Sequence, residues 1–220
     1  MKARISALAV LLLALAAVPA WGQNWSYENG PINGNIDAWT INFGFTVSDS
    51  YVAEGTSVTG FAFGAREFPG DKILSVDWII STGPCSGPAG CGTIEGAGTA
   101  NDGNLVDKFL SSNAFGYDID LVTVSNLNVP QTAGNEYWLT LANAVVNSGD
   151  PVYWEENSGV GCMSKGCPST AYENTVGTIP SEAFTIGGAG GGGTTPEPGT
   201  FILFASGVLG VAGLLRRRIL

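Results

Sequence analysis

Two aromatic rings, two carboxylates and an amide adjoin one another in the segment Tyr153-Trp154-Glu155-Glu156-Asn157. An aromatic face can stack on the apolar C–H face of a sugar ring, while carboxylates and amides hydrogen-bond to its hydroxyls. The sequence therefore predicts a glycan contact at these five residues. Neighbours in a strand point to opposite faces, so one ring is expected at the surface. The alternative is a core ring beside solvated acids.

A second pair of carboxylates, Asp118 and Asp120, lies two residues apart in a stretch with strand character. Residues two apart share one face of a strand, where two carboxylates can converge on a hard cation. Calcium takes about six to eight oxygen ligands, so loop carboxylates such as Asp102, Asp107 or Asp150 would have to complete the shell. Asp118 and Asp120 are thus candidate calcium ligands, with a solvated polar face as the alternative. No other cofactor is predicted.

The same acidic pairs, Glu155 with Glu156 and Asp118 with Asp120, could supply the acid and base of a glycosidase. That chemistry needs carboxyl groups about 5–5.5 Å or about 6.5–9.5 Å apart, a distance that sequence spacing does not fix. The chain contains no histidine, which excludes Ser-His-Asp and Cys-His catalysis and removes the usual general base. We predict that the protein is not an enzyme, with a secreted carbohydrate-active hydrolase as the alternative.

The four cysteines form two close pairs, Cys85 with Cys91 and Cys162 with Cys167, each in a segment rich in Gly and Pro. In an exported chain such pairs predict two local disulfides that close loops. Pairing between the two loops is the alternative. Neither spacing matches the Cys-x-x-Cys pattern of a zinc site.

The charge balance is strongly acidic between residues 23 and 197, where four basic residues stand against 19 acidic ones, a net charge of −15. Nucleic-acid binding depends on basic patches that neutralise phosphates, so this balance excludes it.

Short stretches with polar–apolar alternation, separated by Gly, Pro, Asn and Asp turns, fill the middle of the chain and predict strands. The fold predicted from them is all-β, a single antiparallel β-sandwich of jelly-roll type. The predicted strands cover residues 38–47, 57–64, 73–81, 92–99, 105–110, 117–124, 137–142 and 183–186.

Three features follow one another near the C-terminus: Pro196-Glu197-Pro198, an uncharged stretch at 200–215, and Arg216-Arg217-Arg218. As a helix the stretch would measure about 24 Å, close to the roughly 30 Å of a bilayer core, so it predicts a transmembrane helix on the precursor. The arginines would hold its end in the cytoplasm and leave the rest of the chain outside. The prolines keep Glu197 extended, as a processing enzyme requires.

Together these residues resemble the PEP-CTERM tail that bacterial exosortases recognise. The resemblance implies transient anchoring in the inner membrane, removal of the tail by an exosortase, and delivery to the cell surface or extracellular matrix. The glycine-rich residues 187–193 also resemble the GlyGly-CTERM tails that rhombosortases process, but the Pro-Glu-Pro triplet favours an exosortase. A permanent membrane anchor is the alternative.

The N-terminus has the parts of a signal peptide. Lys2 and Arg4 precede an apolar run, and Ala20-Trp21-Gly22 offers a signal-peptidase site before Gln23. The predicted organisation is therefore a signal peptide at 1–22, an extracellular β-sandwich at 23–186, a Gly-rich linker at 187–195 and the sorting signal at 196–220.

The resemblance to PEP-CTERM proteins implies a structural or polysaccharide-associated module of the biofilm matrix, with extracellular polysaccharide as a partner.

Overall fold

The computed structural model describes residues 25–86 and 90–189. The predicted signal peptide and the sorting signal with its helix at 200–215 lie outside these ranges. Within them the chain is built of strands without a helix, so no helix of the described part could span a membrane. The strands are β1 (Trp25–Glu28), β2 (Ala38–Thr40), β3 (Thr46–Val52), β4 (Ser57–Glu67), β5 (Ile73–Ser81), β6 (Ile94–Asn101), β7 (Leu105–Ser112), β8 (Asp118–Val124), β9 (Val129–Pro130), β10 (Glu136–Val146), β11 (Tyr153–Glu155), β12 (Ala171–Glu173), β13 (Gly177–Ile179) and β14 (Phe184–Ala189).

The strands form two antiparallel sheets. The first has eight strands, in the order β1-β14-β4-β11-β2, with β8 and β9 on the other edge of β4 and β7 beside β8. The second has six, in the order β13-β12-β3-β10-β5-β6. The predicted all-β, antiparallel class is confirmed. A jelly roll has about eight strands, whereas the described part of this chain has 14.

Strand β4 organises the first sheet because its 11 residues are long enough to pair with four others. One edge meets β14 and then β11, while the other meets β9 and then β8. Alternate residues of β4 point inward, which brings Phe61 and Phe63 into the core. Glu67, at the end of the strand, is buried on the same inward face.

The inner faces of the two sheets share one core. Phe61 of the first sheet meets Trp78 of the second at a ring distance of 6.3 Å, and Tyr51 of the second meets Phe184 of the first at 6.4 Å. Both pairs are T-shaped, with the edge of one ring toward the face of the other, an arrangement that aromatic pairs favour. The two antiparallel sheets therefore pack against each other around one core.

The predicted strand at 38–47 is wrong as a single element. The chain forms β2, turns at Asn42, and enters the other sheet as β3. Phe43 and Gly44 take positive φ angles of 55° and 89°, and the Phe45 N–H donates to the Asn42 carbonyl oxygen at 3.0 Å. The alternation of polar and apolar residues continues across the turn, so the sequence pattern did not reveal it.

The boundary between the last strand and the linker also lies later than predicted. Gly187 pairs with Gly60, and Ala189 pairs with Ser57, so the first three residues of the predicted linker belong to β14. Glycine is compatible with a strand where the neighbouring chain comes close. A Cβ at Gly188 would lie 2.7 Å from Ser26 Oγ.

Both local disulfides are confirmed, Cys85 with Cys91 and Cys162 with Cys167, and no free cysteine remains. The first closes the loop between β5 and β6, and the second lies in the loop between β11 and β12.

Candidate functional site

The predicted glycan-binding segment forms β11 and the residues just after it. Tyr153 lies opposite Arg66 in the register with β4, and Trp154 lies opposite Ala65. Trp154 is fully buried, its ring 6.0 Å from Phe63 and 5.6 Å from Phe184, and its Nε1–H donates to the Ala183 carbonyl oxygen. Trp154 is therefore a core residue, and its ring is not accessible to a sugar.

The three polar residues of the segment are also internal. Glu155 accepts a hydrogen bond from Arg66 Nε at 2.6 Å, and Glu156 accepts one from Trp39 Nε1 at 2.7 Å. Asn157 donates to Ser181 Oγ and to the Glu182 carbonyl oxygen. All three are buried, so the predicted glycan contact of Trp154, Glu155, Glu156 and Asn157 is wrong for this structure. Tyr153 is the member of the segment that reaches the surface.

Glu155 and Arg66 form a buried ion pair on the outer face of the first sheet. The loop before β2 covers the pair, because Ile32 packs over Gly64, where a Cβ would lie 2.9 Å from Ile32 Cγ1 and 3.1 Å from Glu155 Cβ. Burial raises the pKa of Glu155, and the hydrogen bond and charge of Arg66 counteract part of that rise. Only a residue without a side chain fits at Gly64.

Three aromatic rings form a continuous row beside this pair, which we call the aromatic row: Phe68, Tyr117 and Tyr153. Ring centroids are 5.1 Å apart between Phe68 and Tyr117, and 5.9 Å apart between Tyr117 and Tyr153. The Arg66 guanidinium carbon lies 5.9 Å from the centre of the Tyr117 ring. Phe68 is 37% exposed and both tyrosines are partly exposed, so the row lies at the surface.

Three carboxylates from neighbouring strands converge at one end of the first sheet, which we call the acidic cluster: Glu67 of β4, Asp107 of β7 and Asp120 of β8. One oxygen from each lies within 4.8 Å of the other two. Glu67 and Asp120 are fully buried, and Asp107 is partly exposed. Burial raises the pKa of Glu67 and of Asp120, and the neighbouring acid Asp107 raises both further.

Lys72 is the cation that contacts the acidic cluster. Its ammonium forms an ion pair with Asp120 and lies 3.4 Å from Asp107 Oδ1. Its side chain is 43% exposed, so it closes the cluster on the solvent side. The Ile73 N–H donates to Asp107 Oδ2 at 2.7 Å and fixes that carboxylate.

Asp118 does not join Asp120, contrary to the predicted calcium pair. Its carboxylate accepts hydrogen bonds from Ser112 Oγ at 2.8 Å and from the Gly70 N–H at 3.2 Å. Asp120 meets Glu67 and Asp107 instead, and Asp107 was among the residues expected to complete a shell. The pairing predicted from β8 alone missed Glu67 because that residue belongs to another strand.

Asp49 lies at the centre of a buried polar network between the two sheets. Its carboxylate accepts hydrogen bonds from Asn29 Nδ2, Ser169 Oγ, Ser181 Oγ and the Glu182 N–H. Burial raises the pKa of Asp49 to about 7, although these hydrogen bonds counteract it. Burial also raises the pKa of Glu182, and the charge of Asp49 adds to this rise.

Two shallow depressions lie on the surface of the second sheet. One of about 270 Å³ borders the Cys85–Cys91 disulfide, and one of about 300 Å³ lies beside Phe43 and Gly149. Pockets for small ligands measure about 300–1,000 Å³, so both are at or below the lower limit. Neither is lined by the aromatic row or the acidic cluster.

Comparison with protein families matches residues 194–218 to the PEP-CTERM protein-sorting motif. The chain carries a PEP-CTERM sorting motif. The match includes Pro196, Glu197 and Pro198 and extends through Arg218. The motif indicates an exosortase-sorted extracellular protein, exported toward the cell surface with an exosortase as its processing partner. No curated protein matches the chain.

The PEP-CTERM motif begins five residues after β14 ends at Ala189.

Several residues of these sites were not among the site residues predicted from the sequence. Glu67 and Arg66 lie beyond the end of the strand predicted at 57–64, and Asp49 and Asn29 lie outside the predicted strands. The sequence does contain one indication of the site at Glu67. Alternation through Phe61, Phe63 and Ala65 places Glu67 on the inward face of the strand, where a buried carboxylate needs a partner.

Proposed function

We propose that this exported protein is a non-catalytic surface or matrix module that associates with extracellular polysaccharide through its aromatic row. The observation that carries the proposal is the continuous surface formed by Phe68, Tyr117 and Tyr153 on the outer face of the first sheet. Ring faces of this kind accept the C–H groups of sugars, and tyrosine hydroxyls add hydrogen bonds. The PEP-CTERM motif supports an extracellular location, where the protein would encounter such a polysaccharide.

A polar group near the row supports a glycan as its ligand. The Asp118 carboxylate is partly exposed, lies next to Tyr117 in the chain and can accept hydrogen bonds from sugar hydroxyls. A neutral or cationic polysaccharide is favoured over an anionic one because of the acidic balance of the chain between residues 23 and 197.

Two observations favour a module without catalysis over a hydrolase. Glu155 is buried and ion-paired to Arg66, and Glu156 is buried and bonded to Trp39, so neither carboxylate faces a substrate. Asp120 is fully buried and paired with Lys72, while Asp118 is fixed by Ser112 and Gly70. A glycosidase requires two carboxylates that flank an accessible bond.

Binding of the full-length chain, purified in detergent, to the exopolysaccharide of the producing organism tests the proposal. Saturable binding is expected, with a loss of roughly tenfold or more in affinity when Phe68 and Tyr153 are both changed to Ser, since aromatic anchors dominate such interfaces. Phe45→Ser is the matched control, because Phe45 is 39% exposed and lies in the turn before β3. Equal binding by the double variant and the wild type would reject the aromatic row as the contact.

A further inference from the structure

We propose that the acidic cluster of Glu67, Asp107 and Asp120 is a calcium site that joins three neighbouring strands of the first sheet. This inference is independent of the polysaccharide proposal, because none of the three residues belongs to the aromatic row. Its basis is the convergence of three carboxylates from β4, β7 and β8, together with carboxylate oxygens that lack any partner within the protein.

The charge of the cluster is incompletely balanced. Binding a cation requires all three carboxylates in their ionised form, in which they carry three negative charges against the one positive charge of Lys72. Two negative charges therefore remain in a location where Glu67 and Asp120 are fully buried. Unpaired buried charge is costly, and a divalent cation would neutralise this excess.

The unpartnered oxygens point to the same ligand. Both carboxylate oxygens of Glu67 and Oδ1 of Asp120 are buried without a hydrogen-bond partner. Buried polar atoms in proteins are nearly always bonded, so those without a partner call for an explanation. Lys72 contacts Asp107 and Asp120 and leaves Glu67 unpaired, so the lysine alone does not satisfy the cluster.

Spacing and chemistry favour calcium among the metals. Calcium binds oxygen at about 2.3–2.6 Å, so two oxygens on one ion lie no more than about 5 Å apart, and the cluster's oxygens lie within 4.8 Å of one another. Zinc prefers nitrogen and sulfur, but the chain has no histidine and its cysteines form disulfides. Calcium tolerates an irregular shell, which water can complete on the solvent side beside Lys72.

Lys72 and calcium compete for the same carboxylates under this proposal. The Lys72 side chain is 43% exposed, so its ammonium can move toward solvent when the ion binds. Its backbone N–H stays bonded to Asn147 Oδ1 at 2.7 Å, which keeps the residue beside the site. Lys72→Gln should therefore bind calcium more tightly than the wild type.

Calorimetric titration of the full-length chain, purified in detergent and stripped with EGTA, tests the proposal with calcium chloride alone as the probe. We expect one equivalent of calcium to bind. At a hundredfold excess over Kd, Tm should rise by roughly 5–10 °C. Failure of the wild type to bind calcium at millimolar concentration would overturn the proposal, whatever the variants do.

Two variants locate the ion. Glu67→Gln and Asp120→Asn should each weaken calcium binding by at least about tenfold, since loss of even an outer-shell partner costs about 10–100-fold. Asp118→Asn is the matched control and should bind as the wild type does, because Asp118 lies outside the cluster. Calcium binding that persists in both cluster variants would also overturn the proposal.

The stability of Glu67→Gln in EGTA provides a separate readout. The substitution replaces a buried carboxyl group that has no hydrogen-bond partner by an amide of the same size, so the metal-free protein should be at least as stable as the wild type, while the rise in Tm with calcium should be clearly smaller. A purely structural role for Glu67 predicts the opposite, a lower Tm in EGTA and an unchanged response to calcium.

Discussion

Arg66 Nε lies 2.6 Å from Glu155 Oε1, and the two side chains are 9% and 0% exposed. The pair joins β4 to β11 beneath the loop that carries Ile32. Arg66 also donates to the Ile36 carbonyl oxygen at 3.3 Å and lies beside the Tyr117 ring. One guanidinium thus links a buried acid, a covering loop and the aromatic row.

Arg66→Met should destabilise the protein by about 3–5 kcal/mol, because it leaves the Glu155 carboxylate buried without a counter-charge. Changing Glu155 to Leu as well should recover much of this loss, since an apolar pair of similar volume can replace a buried ion pair. Urea unfolding followed by tryptophan fluorescence measures both values. Lys108→Met, at an exposed position of β7, is the control and should change stability little. An equal loss in the single and double variants would show that the charge is not the cause.

Stability should fall as pH rises from about 4 to 7 through the ionisation of Asp49. Its pKa in the folded state is about 7, above its ordinary value of 3.8, so the folded protein holds a proton that the unfolded chain has released. The stabilisation is complete below pH 3.8 and is lost as pH approaches 7. The difference between a pKa of 3.8 and one of about 7 corresponds to about 4 kcal/mol of unfolding free energy.

Asp49→Asn should remove this part of the pH dependence, because the amide does not ionise. Unfolding free energies at pH 4.5 and pH 7.5 give the comparison, and the difference between the two should be smaller in the variant. Glu182 remains in both proteins, but part of the rise in its pKa comes from the charge of Asp49, so its contribution to the pH dependence should also decrease in the variant, in the same direction. Identical pH profiles would mean that Asp49 is ionised throughout this range, held in that state by its four hydrogen bonds.

Gly64→Ala should destabilise the protein by about 1–3 kcal/mol, the usual cost of overpacking. The added methyl group would lie 2.9 Å from Ile32 Cγ1 and 3.1 Å from Glu155 Cβ. Adding Ile32→Ala should restore part of the loss by making room. Thermal unfolding checks this, with Gly103→Ala as a control, since a Cβ there meets only Asn101 Oδ1 at 3.5 Å. A stable Gly64→Ala would show that the covering loop moves away freely.

Changing Glu197 to Gln, or deleting Arg216, Arg217 and Arg218, should leave unprocessed precursor in the membrane. The first removes the charge of the Pro-Glu-Pro triplet, and the second removes the cations that hold the C-terminal end in the cytoplasm. Immunoblots of membrane and extracellular fractions report the outcome. Glu136→Gln, at an exposed position of β10, serves as a control outside the motif. Release of both tail variants at the wild-type rate would contradict recognition of these residues by an exosortase.

Much of the strand content could be predicted from alternation of polar and apolar residues. Strand β5 has the predicted bounds of 73–81, and β7, β8 and β14 begin within a residue of their predictions. Strands of two or three residues, such as β9, β11 and β13, could not be predicted because they are too short to show a period. They depend on pairing with longer neighbours.

The acidic cluster shows why the site was harder to predict than the strands. Asp120 could be found within β8, but its partners depend on register: Ala65 lies opposite Asp120 on one side and Phe109 on the other. Glu67 and Asp107 are then diagonal neighbours of Asp120 on the same face. No local pattern contains that information, since register is set by the fold.

The place of β14 between β1 and β4 determines when the domain can finish folding during export. The strands β1 and β4 precede β14 in the chain, and each pairs with it across more than 100 residues; Ser26 Oγ bonds the Ile186 carbonyl oxygen across 160 residues. Such distant contacts form slowly. In a chain exported from its N-terminus, a gap one strand wide would thus stay open in the first sheet until the residues just before the sorting motif emerge.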